Sequence, residues 1–485
     1  MYRKLQASKY LRFVPRHDGV ALYHSLYGGL CIIDRNIFRL FEVFRTPKSI
    51  HGVAKEGIML DEFRIRSFMR HFEEKSFLVE PGCNESSKLE HCLEDIGRGL
   101  QKGSQVGVVQ LVLTNRCNFR CEYCFVESIY ASEERHRAQA AKNNRIMRSE
   151  DARVYLEKVM ALVRRNGKTA LSVQFFGGEP LLNWKTMKSV LEYFGSGEKQ
   201  GLDISYSIVT NGSLMTEEIA EYCKKYKVSV IMSFDAPSGR QRHSMNGENS
   251  GELVERSLSL LNKHYNRVAF NAVLSSETFD VFGTELVDFA LDHYVFEIGV
   301  LLDLNPEFYE RYTADAIVER LWEVYLYGKQ QGVQLTGYWH MIFQQLVYRD
   351  MYKRRSFKTC SATGCQLSIE PSGDVFACKG SSGYFGNILY PEELLSSENY
   401  KKYALRTFQN SPECAGCEIE GFCSGFCLGP LEKKYGDIAV IEKNTCVIYK
   451  KLTELLIQDA DTEDVPVFHM QAREAMEHHA GEHLS

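Results

Sequence analysis

The chain has 485 residues, 44% of them hydrophobic and 25% charged, with a net charge of −5. That length exceeds what one core organises, so two or three domains are expected; the acidic balance gives no general attraction to phosphate backbones, and no apolar run approaches the roughly 18 to 20 residues of a bilayer span. Nucleic acid and membrane are therefore disfavoured as partners, and fifteen cysteines without a signal segment or the dense spacing of secreted domains point to a reduced, cytoplasmic setting.

From Arg12 to about Pro81 the pattern is short and self-contained. VALYHSLYGG and LCIID read as two strands around a Gly-Gly turn, and NIFRLFEVFR, SIHGVAKEGI and DEFRIRSFMRHFEEKSFLV read as three helices. Two strands and three helices of this size predict a winged-helix-like module over residues 1–85. Its arginines are interleaved with acids, so base reading is disfavoured. The same shape can offer a strand edge to a peptide, or serve only as a structural cap on the next domain. Residues 86–107 are polar and charged, which predicts a linker or a solvent-facing helix.

After that the texture changes. GVVQLVLT, LSVQFFGG, ISYSIVTNG, VSVIMSFD, RVAFNAVL and FEIGVLLDL are apolar, strand-like segments separated by helical stretches such as SEDARVYLEKVMALVRRNG and MTEEIAEYCKKYK. Repeated strand-helix alternation implies a parallel sheet, and about six units fit over 108–330. The predicted fold class is α/β: a partial (β/α)6 barrel whose active site lies at the carboxyl ends of its strands. Residues 331–450 lose this rhythm and become short strands, Gly turns and cysteine clusters, a segment that metal would hold together. The C-terminal tail is 451–485, polar from Asp459 on and His-rich at AMEHHAGEH, where solvated disorder is expected rather than a metal site.

Eleven cysteines fall into spaced groups: Cys117/Cys121/Cys124, Cys360/Cys365/Cys378 and Cys414/Cys417/Cys423/Cys427/Cys446. Three thiolates leave one iron of a cubane open, and eight can close two more cubanes. The first trio follows the strand LVLTNR directly, so one loop presents all three. An open iron can chelate the amine and carboxylate of a small molecule and pass an electron into it. Structural zinc sites prefer four closed ligands, and no fourth is evident near this loop. The other four cysteines, Cys31, Cys83, Cys92 and Cys223, stand singly, as small buried hydrophobes or inert thiols do.

The trio, with three and then two intervening residues and the aromatic Tyr123 before the last cysteine, resembles the signature of the radical S-adenosylmethionine (SAM) enzymes. Downstream, Gly177-Gly178-Glu179-Pro180 resembles the segment that binds the SAM amino group, and Asn211 and Ser233/Asp235 stand at the ends of the next two strands. Glycine lets backbone approach a ligand closely, and a carboxylate accepts from an ammonium. The family's arginine for the SAM carboxylate has no clear counterpart, Arg240 and Arg242 being candidates. The eight distal cysteines resemble the SPASM extension of peptide-modifying radical SAM enzymes. That resemblance implies one auxiliary 4Fe-4S cluster on Cys360, Cys365, Cys378 and Cys427, and another on Cys414, Cys417, Cys423 and Cys446; two zinc sites on the same thiolates are the alternative. Lys379 stands where sulfatase-maturing relatives carry a basic aspartate, which counts against that activity and leaves any general base unassigned.

The resemblance thus implies a peptide maturase with SAM and three 4Fe-4S clusters as cofactors. Its expected partners are a precursor peptide, held through its leader by the N-terminal module, and an electron donor such as flavodoxin or ferredoxin. The expected product is a cysteine thioether, with carbon-carbon cross-linking or epimerisation as alternatives. A noncatalytic, metal-stapled peptide-binding scaffold is the reading from another class.

Overall fold

The computed structural model describes residues 3–56, 61–124, 146–237, 242–303, 306–348, 360–407, 411–423, 427–461, 465 and 467–468. The module's main sheet opens on a strand the sequence did not announce: β1 (Leu11–Arg16) pairs antiparallel with β2 (Gly19–His24), which pairs with β3 (Gly28–Ile33). The module's main sheet therefore has three strands of its own, and Gln6–Ala7 pairs with Leu78–Val79 in a second, two-stranded sheet. Pro15 and the alternating arginines hide β1, because proline and charge are what an edge strand tolerates. The turn lies at Ser25–Tyr27, ahead of the glycines; Gly28 and Gly29 open β3 with φ of +69° and +77°. The three expected helices are α1 (Arg35–Val43), α2 (Ile50–Ala54) and α3 (Glu62–Glu74), and the side chains of Asp34, Ser49 and Asp61 cap their first turns.

Both faces of this sheet are buried. Leu11, Leu22, Cys31 and Ile33 pack with Ile37, Phe41, Phe68 and Phe72 of the module's own helices. Val14, Ala21, Tyr23, Leu30 and Ile32 turn the other way and join the main core. The period-2 alternation of strands allows one sheet to serve two cores. The expected linker is largely a helix, α4 (Ser87–Gly99), with Leu89 and Ile96 buried.

The barrel strands are β4 (Val108–Thr114), β5 (Ala170–Gly177), β6 (Asp203–Thr210), β7 (Ser229–Ser233), β8 (Val268–Leu274) and β9 (Glu297–Leu302). They alternate with α5 (Ser149–Arg165), α6 (Trp184–Phe194), α7 (Glu217–Lys225), α8 (Ser250–Lys263), α9 (Thr284–Asp292) and α10 (Ala314–Gln331). All six strands are parallel and in sequence order, as the alternation predicted. Val173, Phe175, Ile208, Val230, Met232, Phe270 and Ile298 bury against Leu156, Val159, Met187, Val190 and Leu258 of the helices. On the opposite strand face Gln110, Gln174, Ser207, Ser233 and Asn271 stay half-buried, leaving a polar inner surface.

The sheet does not stop at residue 330. β10 (Gln334–Thr336) adds beside β9, and β11 (Gln366–Ile369) of the cysteine-rich segment pairs parallel with β4, followed antiparallel by β12 (Asp374–Phe376) and β13 (Tyr384–Asn387). One ten-stranded sheet thus runs through barrel and cysteine-rich segment. Two helices, α11 (Tyr338–Val347) and α12 (Lys443–Asp459), bring this part against the module, Ile342, Leu346, Leu452 and Leu456 lying in the core that also takes Leu30 and Ile32.

The tail is not wholly solvated. Val465 is buried, and β14 (Val467–Phe468) pairs parallel with β3; AMEHHAGEH lies outside the described residues. Arg16 fastens the module to α12: all five guanidinium N–H groups are used, two on Asp18 (2.8 and 3.0 Å) and three on the carbonyls of Ile457, Gln458 (3.0 Å) and Ala460 (2.8 Å). Those carbonyls are ones a helix end leaves without partners. Of the isolated cysteines, Cys31 and Cys223 are buried as expected of small hydrophobes, whereas Cys83 is exposed. Among the described residues, no helix is long and apolar enough to cross a membrane.

Replacing Arg16 with Met should cost about 3 kcal/mol, because it strips donors from a buried helix end and a counter-charge from Asp18. Denaturant unfolding should move to lower concentration, and hydrogen exchange should quicken at residues 455–461. Arg16→Lys should recover only part, since an ammonium cannot span the same acceptors.

Candidate functional site

The first cysteine trio hangs from the carboxyl end of β4, and its loop is held from three sides. Phe119–Cys121 pairs antiparallel with Arg242–Ser244, which sets Arg242 opposite Cys121. The N–H of Gly178 donates to Thr114 O (2.9 Å) and that of Glu179 to Arg116 O (2.9 Å), so the Gly-Gly-Glu turn after β5 lies directly on the loop's backbone. The Asn211 amide donates to Asn118 Oδ1 (3.0 Å) and lies 4.0 Å from Cys117 Sγ. Gly178 is required for sterics: a Cβ there would stand 2.3 Å from Arg116 O and 2.9 Å from Cys117 N. Gly177 is as tight, 2.5 Å from Thr114 O.

The chemistry of the donor set fits a metal cluster. Burial first, then the neighbouring Glu179 carboxylate and the Cys121 and Cys124 thiols, push the Cys117 thiol up to about 12. A buried thiol that resists losing its proton to water can still give it up to a bound cation. Phe119 N–H donates to Cys117 Sγ (3.4 Å), as backbone does to cluster sulfurs.

Glu179 is fully buried and accepts from Leu181 N (3.0 Å), Thr210 Oγ1 (2.7 Å) and Asn211 N (2.8 Å). It therefore ties the end of β5 to the end of β6, with one carboxylate lone pair in reserve for an ammonium. Burial raises its pKa against those three donors. Asp235, also buried, accepts from Val273 N (2.8 Å) and from the Tyr123 hydroxyl, and Arg242 Nη1 donates to that hydroxyl (3.3 Å). The relay Arg242–Tyr123–Asp235 spans from the cysteine loop to β7 and β8. Of the two arginine candidates, Arg242 is buried at this site, while Arg240 lies outside the described residues. No local pattern in the sequence singles out Arg242; the pairing that delivers it joins segments about 120 residues apart. Ser233 stands half-buried at the end of β7, paired with Asn271.

The distal cysteines gather as well. Cys360, Cys378 and Cys427 lie within electrostatic range of one another: burial first, then the Cys378 and Cys360 thiols, raise the Cys427 pKa, and the same three raise that of Tyr338. Cys365 shares a turn with Cys360, its N–H donating to Ser361 O (3.0 Å), and its carbonyl accepts from Gly107 and Val108 at the start of β4. Cys414, Cys417, Cys423 and Cys446 line a single cavity with Ile419, Ile441 and Tyr449. Four thiols around an apolar cavity could hold a cluster, and among its lining residues only Glu420 and Glu442 offer carboxylates.

Lys379 is the residue whose role the sequence left open. Its side chain is 1% exposed, and its ammonium donates to Asn115 Oδ1 (2.7 Å) and Glu370 Oε1 (3.3 Å), Glu370 being 0% exposed. The Lys379 N–H donates to Gln110 Oε1 (2.9 Å), and Gln110 in turn donates to Gln174 (2.8 Å). An ammonium neutralised in this way is a positioning group for the β4 terminus two residues before Cys117, and it is not a free base.

Two outcomes check these assignments. Gly178→Ala should displace the cysteine loop and cut loading by about four irons per chain, measured by iron and sulfide analysis after reconstitution. Lys379→Met should cost about 3 to 5 kcal/mol by stranding the Glu370 carboxylate, and Lys379→Met with Glu370→Gln should recover most of it in denaturant melts.

Similarities to known proteins agree with this geometry. Residues 111–282 match the radical SAM superfamily, and residues 360–418 match SPASM, an iron-sulfur cluster-binding domain. The radical SAM cyclopropyl synthase TigE of Paramaledivibacter caminithermalis is 46% identical over 458 residues, covering 94% of this chain and 96% of that protein. A cysteine-type anaerobic sulfatase-maturating enzyme of Clostridium perfringens is 26% identical over 364 residues, 70% of this chain and 92% of that protein. In fold, the chain is similar to hexahistidine-tagged anSMEcpe with bound AdoMet (TM-score 0.58, 22% identity, 72% of this chain and 96% of that one). It is also similar to Streptococcus suis SuiB bound to its precursor peptide SuiA (TM-score 0.52, 14% identity, 91% and 99%). With the open cysteine loop braced by its Gly-Gly-Glu turn and the distal thiols gathered behind it, this chain belongs to the radical SAM superfamily, as an enzyme of SPASM type whose cofactors are S-adenosylmethionine and 4Fe-4S clusters.

Proposed function

We propose that this enzyme modifies a ribosomally made precursor peptide and closes a carbon-carbon bond within one of its side chains, as a cyclopropane. The supporting observation is the relative named a cyclopropyl synthase, whose likeness extends over 94% of the chain and so includes the N-terminal module as well as the cluster motifs. In this reading Cys117, Cys121 and Cys124 hold the SAM-binding cluster; Cys360, Cys365, Cys378 and Cys427 hold one auxiliary cluster and Cys414, Cys417, Cys423 and Cys446 the other. Tyr123, Gly177, Gly178, Glu179, Asn211, Ser233 and Asp235 surround the SAM. When bound, these groups supply a 5′-deoxyadenosyl radical that takes a hydrogen atom from a peptide carbon.

The chain's own residues then orient and shield. Gly177 and Gly178 let backbone approach, Glu179 keeps a buried acceptor at the mouth, and Arg242 and Asp235 hold the Tyr123 ring across the loop. Fixing these groups beforehand gives the radical one carbon to reach. The module rests on the second set of distal thiols: Gly421 N donates to Ser25 O (2.8 Å), and Arg12 donates to Gly416 O (2.9 Å). A leader held by that module would raise the concentration of the attached core segment near the barrel mouth. A flavodoxin or ferredoxin is the proposed electron donor.

A thioether remains the second reading, favoured by the eight distal thiols that a doubly clustered, electron-accepting domain requires. Both bonds remove two hydrogens from the peptide, one as a hydrogen atom and the other as a proton and an electron; an auxiliary cluster, which Cys360, Cys365, Cys378 and Cys427 would hold, would supply the electron acceptor.

Co-expression with a small peptide encoded beside the gene, followed by tandem mass spectrometry, separates the readings. A product lighter by two hydrogens on an aliphatic residue supports the cyclopropane. The same loss with a cysteine that no longer reacts with iodoacetamide supports the thioether, and deuterium uptake without mass loss supports epimerisation and defeats both. Cys121→Ala should lower 5′-deoxyadenosine formation about 100-fold or more, since it removes a direct ligand.

A further inference from the structure

Among the described residues four lysines or arginines are buried: Arg16, Arg242, Lys379 and Arg406. Three have compensation at hand, Arg16 in Asp18, Lys379 in Glu370, and Arg242 in the Tyr123–Asp235 relay. Arg406 is different. It is 1% exposed and follows the helix Glu398–Ala404. Its Nε donates to Ile438 O (2.9 Å) and its Nη1 to Thr407 O, while Nη2 has no hydrogen-bond partner among the described residues. Carbonyls satisfy donors without cancelling a charge. Asp437, beside Ile438, is exposed and accepts from Ala439 N (2.9 Å).

What surrounds this guanidinium is sulfur. Burial lowers its pKa, and the groups that oppose this are first the Cys414 and Cys423 thiols, then the Asp437 carboxylate and the Cys360 thiol. Cys414 and Cys423 line the cavity they share with Cys417 and Cys446, whereas Cys360 belongs to the other distal set. The cation therefore acts on both sets, and more strongly on the second. A guanidinium stays protonated at any ordinary pH. Buried without a counter-charge it is strongly destabilising, so an anion must come from the groups around it. Four thiolates on a 4Fe-4S core supply one, since the whole is net negative and becomes more so on reduction.

We propose that Arg406 is the built-in counter-charge of the cluster on Cys414, Cys417, Cys423 and Cys446, that Nη2 is the donor it keeps for that cluster's sulfurs, and that it holds the cluster's reduction potential up. The ligand set rests on the assignment proposed above; the uncompensated charge does not. Arg406 is thus a positioning residue, acting through the cluster and touching neither SAM nor peptide. A positive charge beside a centre that gains an electron stabilises the reduced form more than the oxidised one, so removing it makes reduction harder.

The test uses the full chain carrying Cys117→Ala/Cys121→Ala/Cys124→Ala, in which the distal clusters alone remain and reconstitution should load about eight irons. Titration with Ti(III) citrate, followed by the EPR signals of the reduced clusters, resolves the two couples. Arg406→Gln and Arg406→Met should each lower one couple by about 59 mV or more, a tenfold or greater fall in its one-electron reduction constant. The other couple should move less, and Arg406→Lys should recover most of the loss because the charge returns. If Arg406→Gln and Arg406→Met load about four irons fewer, their recovery in Arg406→Lys reports the same need for charge. Loss of that iron in all three variants alike marks a packing role and overturns the proposal. Two couples that keep their potentials in fully loaded variants overturn it as well, and leave the cluster assignment standing. Only about four irons before Arg406 is altered would instead defeat the assignment, and the proposal with it.

Discussion

β4 is the strand from which the chemistry hangs. One edge is bonded to β5, which ends in the Gly-Gly-Glu turn, and the other to β11, which starts after Cys365 and leads through β12 to Cys378. Its own carboxyl end becomes the Cys117–Cys124 loop. The cysteine trio, the Gly-Gly-Glu turn and the Cys365/Cys378 segment therefore take their relative positions from the parallel backbone hydrogen bonds on the two edges of β4. Such a ladder is stiff, and a register slip by one residue would invert every side chain on it.

Around that ladder the charges are arranged in neutral sets. Lys379 with Glu370, and Arg242 with Tyr123 and Asp235, are buried pairs or relays in which each charge has a partner within hydrogen-bonding range. Buried ion pairs contribute little net stability compared with apolar packing, yet breaking one strands a charge at high cost. Their consequence here is geometric: Lys379 reaches from the cysteine-rich segment to Gln110 of β4 and to Asn115 just past its end, so the two regions are held in register.

The N-terminal module is bound into the same body rather than appended to it. Its sheet gives alternate side chains to two cores, its hairpin turn rests on the loop that carries Cys417 and Cys423, and Arg16 closes the end of α12, whose first turn carries Cys446. The packing of this module is thus continuous with that around the distal thiols.

How much of this was legible follows from sequence distance. The cysteine trio, the Gly-Gly-Glu turn and the six strand-helix units are local patterns: ligand spacing, a turn needing glycine, and hydrophobic periodicity each act within a few residues, so the sequence alone determined fold class and chemistry. Contacts between distant segments were decided only by tertiary structure. Arg242 meets Cys121 through a ribbon of segments far apart, Lys379 finds its counter-charge in Glu370 across a strand turn, and β1 hid behind a proline that only an edge position explains. The tail shows the same limit: its polar, His-rich composition predicted solvation, but Val467 and Phe468 found an open edge whose vacancy no local pattern could reveal. Local rules specify which residues can bind or pair; which partners they meet depends on loop closures across the whole chain, whose outcome is fixed by the packing of both cores at once.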